Sequence, residues 1–169
     1  MTDTVILIDG EYLRKIFLKN GGYRINIPNF LDTILKVIQI TNNNLLRTYF
    51  YTAPPYQPDN PSEQEKKNYK SLQKFINFLE KQDSLEIRLG RTEERADEYT
   101  QKMVDVLFSI DLVELSAKSQ IKTAVLIAGD SDFVPAVKTA KNNGTKIILF
   151  CSNNPKEYHY HLWKEADRR

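Results

Sequence analysis

The chain has 169 residues, 41% of them hydrophobic and 27% charged, the makeup of one soluble globular domain spanning 1–169, with too large an apolar share for extensive disorder. Its formal net charge of +2 permits a nucleic-acid partner without arguing for one. No apolar stretch is long enough to cross a membrane, and Met1-Thr2-Asp3-Thr4 lacks the marks of a secretory signal, so no membrane partner and a cytoplasmic location are expected.

Val5 to Ile8 reads as a short buried strand, and Gly10 opens a helix through Leu18 that stops at Asn20-Gly21-Gly22. Pro28 begins another helix, whose Phe30, Leu31, Ile34, Leu35 and Ile38 keep a helical period. Leu45 to Tyr51 is a second strand, and the prolines of Ala53 to Pro61 force a loop. Ser62 with Glu65 three residues on forms a capping box that launches a helix ending near Gln82-Asp83, with Tyr69, Leu72, Phe75, Ile76 and Leu79 on one face. Leu85 to Leu89 alternates like an edge strand and leads into a charged segment, Gly90 to Asp97. A helix containing Asp105 runs to about Ala117, and Thr123 to Ala128 and Lys146 to Phe150 are strands, each followed by a helix. Cys151 closes the last strand as a half-buried thiol with no internal disulfide partner. This alternation predicts an α/β fold, a Rossmann-like parallel sheet flanked by helices on both faces.

Carboxylates carry the chemical signal. Asp9 and Asp130 directly follow buried-strand patterns, which places them at carboxyl-terminal strand ends, where open α/β sheets bind ligands. Either alone could be a helix N-cap, but Asp130-Ser131-Asp132 offers two carboxylates at one junction, more than a cap requires. Asp105 interrupts the apolar run Val104 to Phe108, where an unpaired buried carboxylate is costly unless it meets a cation or pairs with Lys102. Asp111 lies about 120° of helix rotation from Asp105 and is ranked behind the site rather than in it. Two carboxylates about 4 Å apart repel by about 4 kcal/mol at an effective dielectric near 20, so convergence of these groups calls for raised pKa values or a bound cation, and oxygen donors suit Mg²⁺ or Mn²⁺.

These segments resemble the NYN domains, in particular their LabA-like group, within the PIN-like superfamily of metal-dependent nucleases. The resemblance rests on Ile8-Asp9-Gly10-Glu11-Tyr12-Leu13, on Lys102-Met103-Val104-Asp105 with Asp111 downstream, on Leu126 to Pro135 with its Gly-Asp-Ser-Asp-Phe-x-Pro core, and on Gly144-Thr145-Lys146. Leu162 to Asp167 looks like the closing helix. The resemblance implies that Asp9, Asp105, Asp130 and Asp132 hold metal at the carboxyl edge of the sheet, with RNA as the usual substrate. Tyr12 stands where the family usually has Asn, Ala128 where Ser precedes the glycine, and Met103 where Gly is frequent.

Phosphodiester hydrolysis by carboxylate-held ions needs no protein nucleophile. The expected roles are metal binding by Asp9, Asp105 and Asp130, metal binding or water orientation by Asp132, and substrate contact by Lys102, Tyr12 and Ser131. Single-stranded nucleic acid, in first place RNA, would also need cations and stacking faces, for which Arg88, Arg91, Arg95, Lys66, Lys67, Lys70, Lys74, Tyr51 and Tyr56 are candidates, although charge runs are more often solvated faces. Tyr158-His159-Tyr160-His161-Leu162-Trp163 offers base stacking or metal binding, but histidines at i, i+2 do not share a helix face, and packing is the favoured role of the segment. The competing readings are an RNA- or protein-binding module whose catalysis has lapsed, and a metal-dependent phosphatase; a homodimer is compatible with either.

Overall fold

The structure, a computed structural model, describes residues 3–19, 26–39, 44–95 and 98–169. The helix stop expected at Asn20-Gly21-Gly22 lies outside the described residues, as does the end of the charged segment at Ala96-Asp97. In chain order the elements are β1 (Thr4–Asp9), α1 (Gly10–Lys19), α2 (Ile27–Ile38), β2 (Leu45–Thr52), α3 (Glu63–Leu79), β3 (Leu85–Leu89), β4 (Arg91–Arg95), β5 (Glu98–Lys102), α4 (Val104–Ala117), β6 (Thr123–Ile127), α5 (Val134–Asn142), β7 (Lys146–Phe150) and α6 (Tyr160–Glu165). Five strands form a parallel sheet in the order β3-β2-β1-β6-β7. Strand alternation sorts its side chains into two layers. Val5, Leu7, Tyr49, Tyr51, Leu126 and Leu149 pack with α4, α5 and α6 on one face. Ile6, Ile8, Phe50, Val125, Ile127 and Ile148 pack with α1, α2 and α3 on the other. Both faces being covered explains why the inner strands are continuously apolar.

The start of α3 follows from its sequence: the Ser62 hydroxyl accepts from the Glu65 N–H at 3.2 Å while the Glu65 carboxylate accepts from the Ser62 N–H at 2.7 Å. Leu85–Leu89 is the edge strand its alternation suggested, beside β2. The charged segment after it is not a loop. Arg91–Arg95 and Glu98–Lys102 pair antiparallel as a separate two-stranded hairpin. Its residues are polar on both faces, so no apolar alternation marks it as strand. The closing helix also ends earlier than expected: α6 stops at Glu165, and Arg168 forms a parallel bridge to Ile148, its carbonyl accepting from the Leu149 N–H at 2.8 Å. The Asp167 carboxylate accepts from the Ile147 N–H at 2.7 Å, tying this tail to the outer edge of β7.

From β1 the chain builds the sheet outward through β2 and β3, then returns to place β6 on the other side of β1 and β7 beyond it. The carboxyl ends of β1 and β6 are therefore the point where strand order reverses, and a crevice opens there because the connections leave in opposite directions. Two aromatic contacts fix its walls: Phe108 of α4 lies 4.9 Å from the Tyr51 ring and 4.3 Å from the ring of Phe133, just past Asp132. All three rings are buried, so truncating Phe108 to alanine would cost about 3–5 kcal/mol and loosen α4 from the Asp130 turn.

Candidate active site

Asp9 ends β1 and caps α1. Its Oδ1 accepts from the backbone N–H groups of Glu11 at 3.0 Å and Tyr12 at 3.1 Å, which leaves Oδ2 without a hydrogen bond among the described residues. Asp130 repeats the arrangement after β6, where Oδ1 accepts from the Asp132 N–H at 3.1 Å and the Ser131 hydroxyl at 3.4 Å. Asp105 sits in the first turn of α4, behind Met103, whose φ of 70° turns the chain sharply out of the hairpin. No hydrogen bond or ion pair among the described residues reaches the Asp105 carboxylate.

These three aspartates line one groove of about 590 Å³, together with Glu11, Tyr12, Lys15, Gly129, Lys156 and His159. The electrostatics reflect their burial first and their neighbouring charges second. Burial, with a further contribution from Asp105, pushes Asp9 from 3.8 to about 6, against the lowering pull of its two backbone hydrogen bonds. Asp105 is also raised, first by desolvation and then by the negative charges of Asp130 and Asp132. Glu11 moves the other way, because the Arg14 guanidinium binds it at 2.7 and 2.8 Å.

Several expectations are corrected. Asp105 is exposed rather than buried in the apolar run, since α4 turns it outward while Val104 and Phe108 face the core, and it has no pair with Lys102. Tyr51 has no stacking face to offer: it is fully buried, and its hydroxyl donates to Asp111 at 2.8 Å. Arg88 is likewise engaged, by Asp111 at 3.0 Å and by Glu86, and so is not a free cation of a basic run. The lysines of α3 lie on the helix that packs against the opposite face of the sheet from α4, α5 and α6.

Other predicted site residues hold positions that the groove only partly explains. Asp132 is exposed and near enough to add to the repulsion on Asp105, yet it does not line the groove. Ser131 lines a neighbouring cavity, and Lys102 ends β5 outside the lining. Tyr12 is wedged under the β6 turn. A Cβ on Gly129 would come within 2.1 Å of the Tyr12 ring, so Tyr12 and Gly129 are a matched pair, and the Tyr12 hydroxyl accepts from the Ser152 N–H at 3.2 Å. Burial pushes that hydroxyl up to about 12. Gly10 answers a similar constraint, because a Cβ there would meet the Phe50 ring and the Tyr51 carbonyl at 2.7 Å.

Sequence reading missed the groove's far wall. Thr100 and Gln101 reach it from the unforeseen hairpin, and Lys156, Tyr158 and His159 from the segment before α6, held in place by the His159 N–H donating to the Gly129 carbonyl at 2.7 Å. Thr100, Gln101 and Lys156 carry no local mark in the sequence, which favours packing for Tyr158 and His159; the topology brings them all to the groove of Asp9.

A model of the NYN domain matches residues 3–168. The protein belongs to the NYN domain family. NYN domains are generally nucleases, so membership suggests a nuclease-like function and places nucleic acids among the ligands to expect. No curated protein matches the chain in sequence. Among solved structures it is similar to a protein of unknown function from Vibrio parahaemolyticus RIMD 2210633, with a TM-score of 0.64 and 16% identity over 99% of this chain and 91% of that one, a likeness of fold. The fold is a mixed α/β arrangement, a five-strand parallel sheet flanked by helices, in keeping with the NYN family. No helix of the described residues is long and apolar enough to cross a membrane.

Proposed function

We propose that this NYN domain is a divalent-metal-dependent nuclease of the LabA-like kind, acting on single-stranded RNA at the groove between β1 and β6. The observation that carries the reading is the convergence of Asp9, Asp105 and Asp130, from three separate segments, on one groove at the switch point of the sheet. Burial first, and the neighbouring carboxylates after it, push Asp9 and Asp105 upward, so their ionised forms are unfavourable without a cation.

The donor set suits Mg²⁺ or Mn²⁺: Asp9 Oδ2, Asp130 Oδ2 and both oxygens of Asp105 carry no protein hydrogen bond among the described residues. A bound ion would supply an activated water and stabilise the leaving oxygen. The chain's own contribution is positioning. Helix capping fixes Asp9 and Asp130 in orientation, Asp132 stands close enough to raise the local negative charge, and Lys156 faces the groove as a cation for substrate phosphate.

A second reading, a groove that holds nucleic acid without cutting it, is favoured by one observation: among the described residues no three histidine, cysteine, aspartate or glutamate side chains are grouped closely enough to hold an ion as they stand. Cleavage of a labelled mixed-sequence single-stranded RNA in Mn²⁺, Mg²⁺ or EDTA, by wild type and Asp130→Asn, separates the two. Metal-dependent cleavage that vanishes in the variant supports the nuclease; binding without cleavage in any metal supports the second reading.

A further inference from the structure

A second cavity opens on the other side of Ser131, away from the acidic groove. It measures about 420 Å³ and lies between the start of α5 and α6, lined by Ser131, Val134, Pro135 and Lys138 on one wall and by His161, Lys164 and Glu165 on the other. Its charge is opposite to that of the groove. Glu165 is already occupied, its carboxylate 3.3 Å from the Lys141 ammonium, which also donates to the Glu165 carbonyl at 2.7 Å. Lys138 and Lys164 have no carboxylate within ion-pairing distance among the described residues, whereas Lys141, on the same helix as Lys138, is held by Glu165 and Asp167. Two unpaired ammonium groups on facing helices, with exposed His161 between them, form a cleft suited to anions.

The two cavities are lined by neighbouring residues. Asp130 lines the acidic groove and its neighbour Ser131 lines the cationic one, while His159 and His161 stand one in each, their rings stacked at 6.1 Å and 20°. Between the two histidines in sequence, Tyr160 is 60% exposed, its ring stacked at 6.0 Å on Trp163 and edge-on to His161 at 6.0 Å. Trp163 is backed by the Arg169 guanidinium at 3.9 Å. A solvent-facing aromatic ring one helical turn before Lys164 is the combination that single strands use, phosphates on the cations and a base on the π-face.

We infer that the cleft between α5 and α6 is a binding subsite for single-stranded nucleic acid, in which Lys138 and Lys164 hold backbone phosphates of the strand that leaves the acidic groove and Tyr160 receives a base. Ser131 to Lys138 spans about two helical turns, about 10 Å, so the subsite engages the strand beyond the phosphate at the carboxylates. The inference deepens the nuclease reading, but it concerns binding and holds for a non-cleaving domain as well.

The test is fluorescence anisotropy of a labelled oligouridylate of about 12 nucleotides, in EDTA so that no cleavage intervenes, across a series of salt concentrations. Lys138→Glu combined with Lys164→Glu is expected to weaken binding about tenfold or more and to reduce the salt slope by about 1.4, the contribution of two single-strand phosphates. Lys138→Gln with Lys164→Gln should lose the same slope with a smaller loss of affinity, and Tyr160→Ala should weaken binding severalfold with the slope unchanged. The control, Lys122→Glu just before β6 with Lys146→Glu at the start of β7, at the opposite end of the sheet, should change affinity less than twofold. Wild type that does not bind, an α5/α6 variant that keeps wild-type affinity and slope, or a control that loses as much as the variant would each overturn the subsite. Absence of cleavage when Mn²⁺ is restored would count against the nuclease alone.

Discussion

Asp105 and Asp111 lie six residues apart on one helix and lead opposite lives. Asp111 is half-buried and satisfied, accepting from the Tyr51 hydroxyl at 2.8 Å and from Arg88 at 3.0 Å, so it ties α4 to β2 and β3. Asp105 has no partner among the described residues and shares the groove with Asp9 and Asp130. The fold neutralises one carboxylate with its own donors and leaves the other raised in pKa among like charges. Partnering, rather than position in an apolar run, separates a carboxylate that holds the structure from one available to a ligand.

Substitutions sharpen this contrast. The largest effect is expected for Asp130→Asn, where the account predicts loss of at least about a thousandfold in cleavage rate, equivalent to about 4 kcal/mol, with the melting temperature nearly unchanged, measured by single-turnover cleavage beside thermal denaturation. Asp111→Ala should do the reverse. Removing it strips the buried Tyr51 hydroxyl of its acceptor and leaves the Arg88 guanidinium with Glu86 alone, so stability should fall by about 2–4 kcal/mol in urea titrations while the folded fraction retains its rate.

Asp9→Asn sits between these extremes. The rise from 3.8 to about 6 means that the ionised carboxylate is disfavoured in the folded, metal-free protein by up to about 3 kcal/mol. The sign follows: this cost is absent below pH 4, grows through the interval between the unfolded and folded values, and is complete above about pH 6. Wild type without metal should therefore gain stability from this group as pH falls from 7 toward 4. Asparagine can still accept the two helix-capping bonds, so Asp9→Asn should raise stability at pH 7 by about 1–3 kcal/mol and flatten that part of the pH profile, while cleavage is lost. Tyr12→Phe is the mildest test. It removes only the acceptor for the Ser152 N–H, costing about 1 kcal/mol by denaturant titration and leaving the ring under Gly129.

Much of the fold was legible because its signals are local. Short apolar runs announced the buried strands, the Ser62 and Glu65 pair announced α3, and alternation placed Leu85–Leu89 at an edge. The hairpin of Arg91–Arg95 and Glu98–Lys102 was not legible, since charged residues on both faces erase the period by which strands are recognised. At the site, the aspartates stood out because a carboxylate after a buried strand demands a reason. The far wall did not, because Gln101, Lys156 and His159 owe their place to the path of the chain and to a backbone hydrogen bond on Gly129. Tyr12 was legible as a departure from the family's Asn but not as the partner of Gly129, a steric match visible only when β1 and β6 lie side by side.

The most direct test of the central claim is to assay Asp105→Asn and Asp111→Asn side by side for Mn²⁺-dependent cleavage of single-stranded RNA, with the melting temperature of each recorded in the same buffer. The account predicts that Asp105→Asn abolishes cleavage and keeps its melting temperature, while Asp111→Asn melts earlier and still cuts. Full activity in Asp105→Asn, or loss of activity in Asp111→Asn without loss of stability, would contradict it.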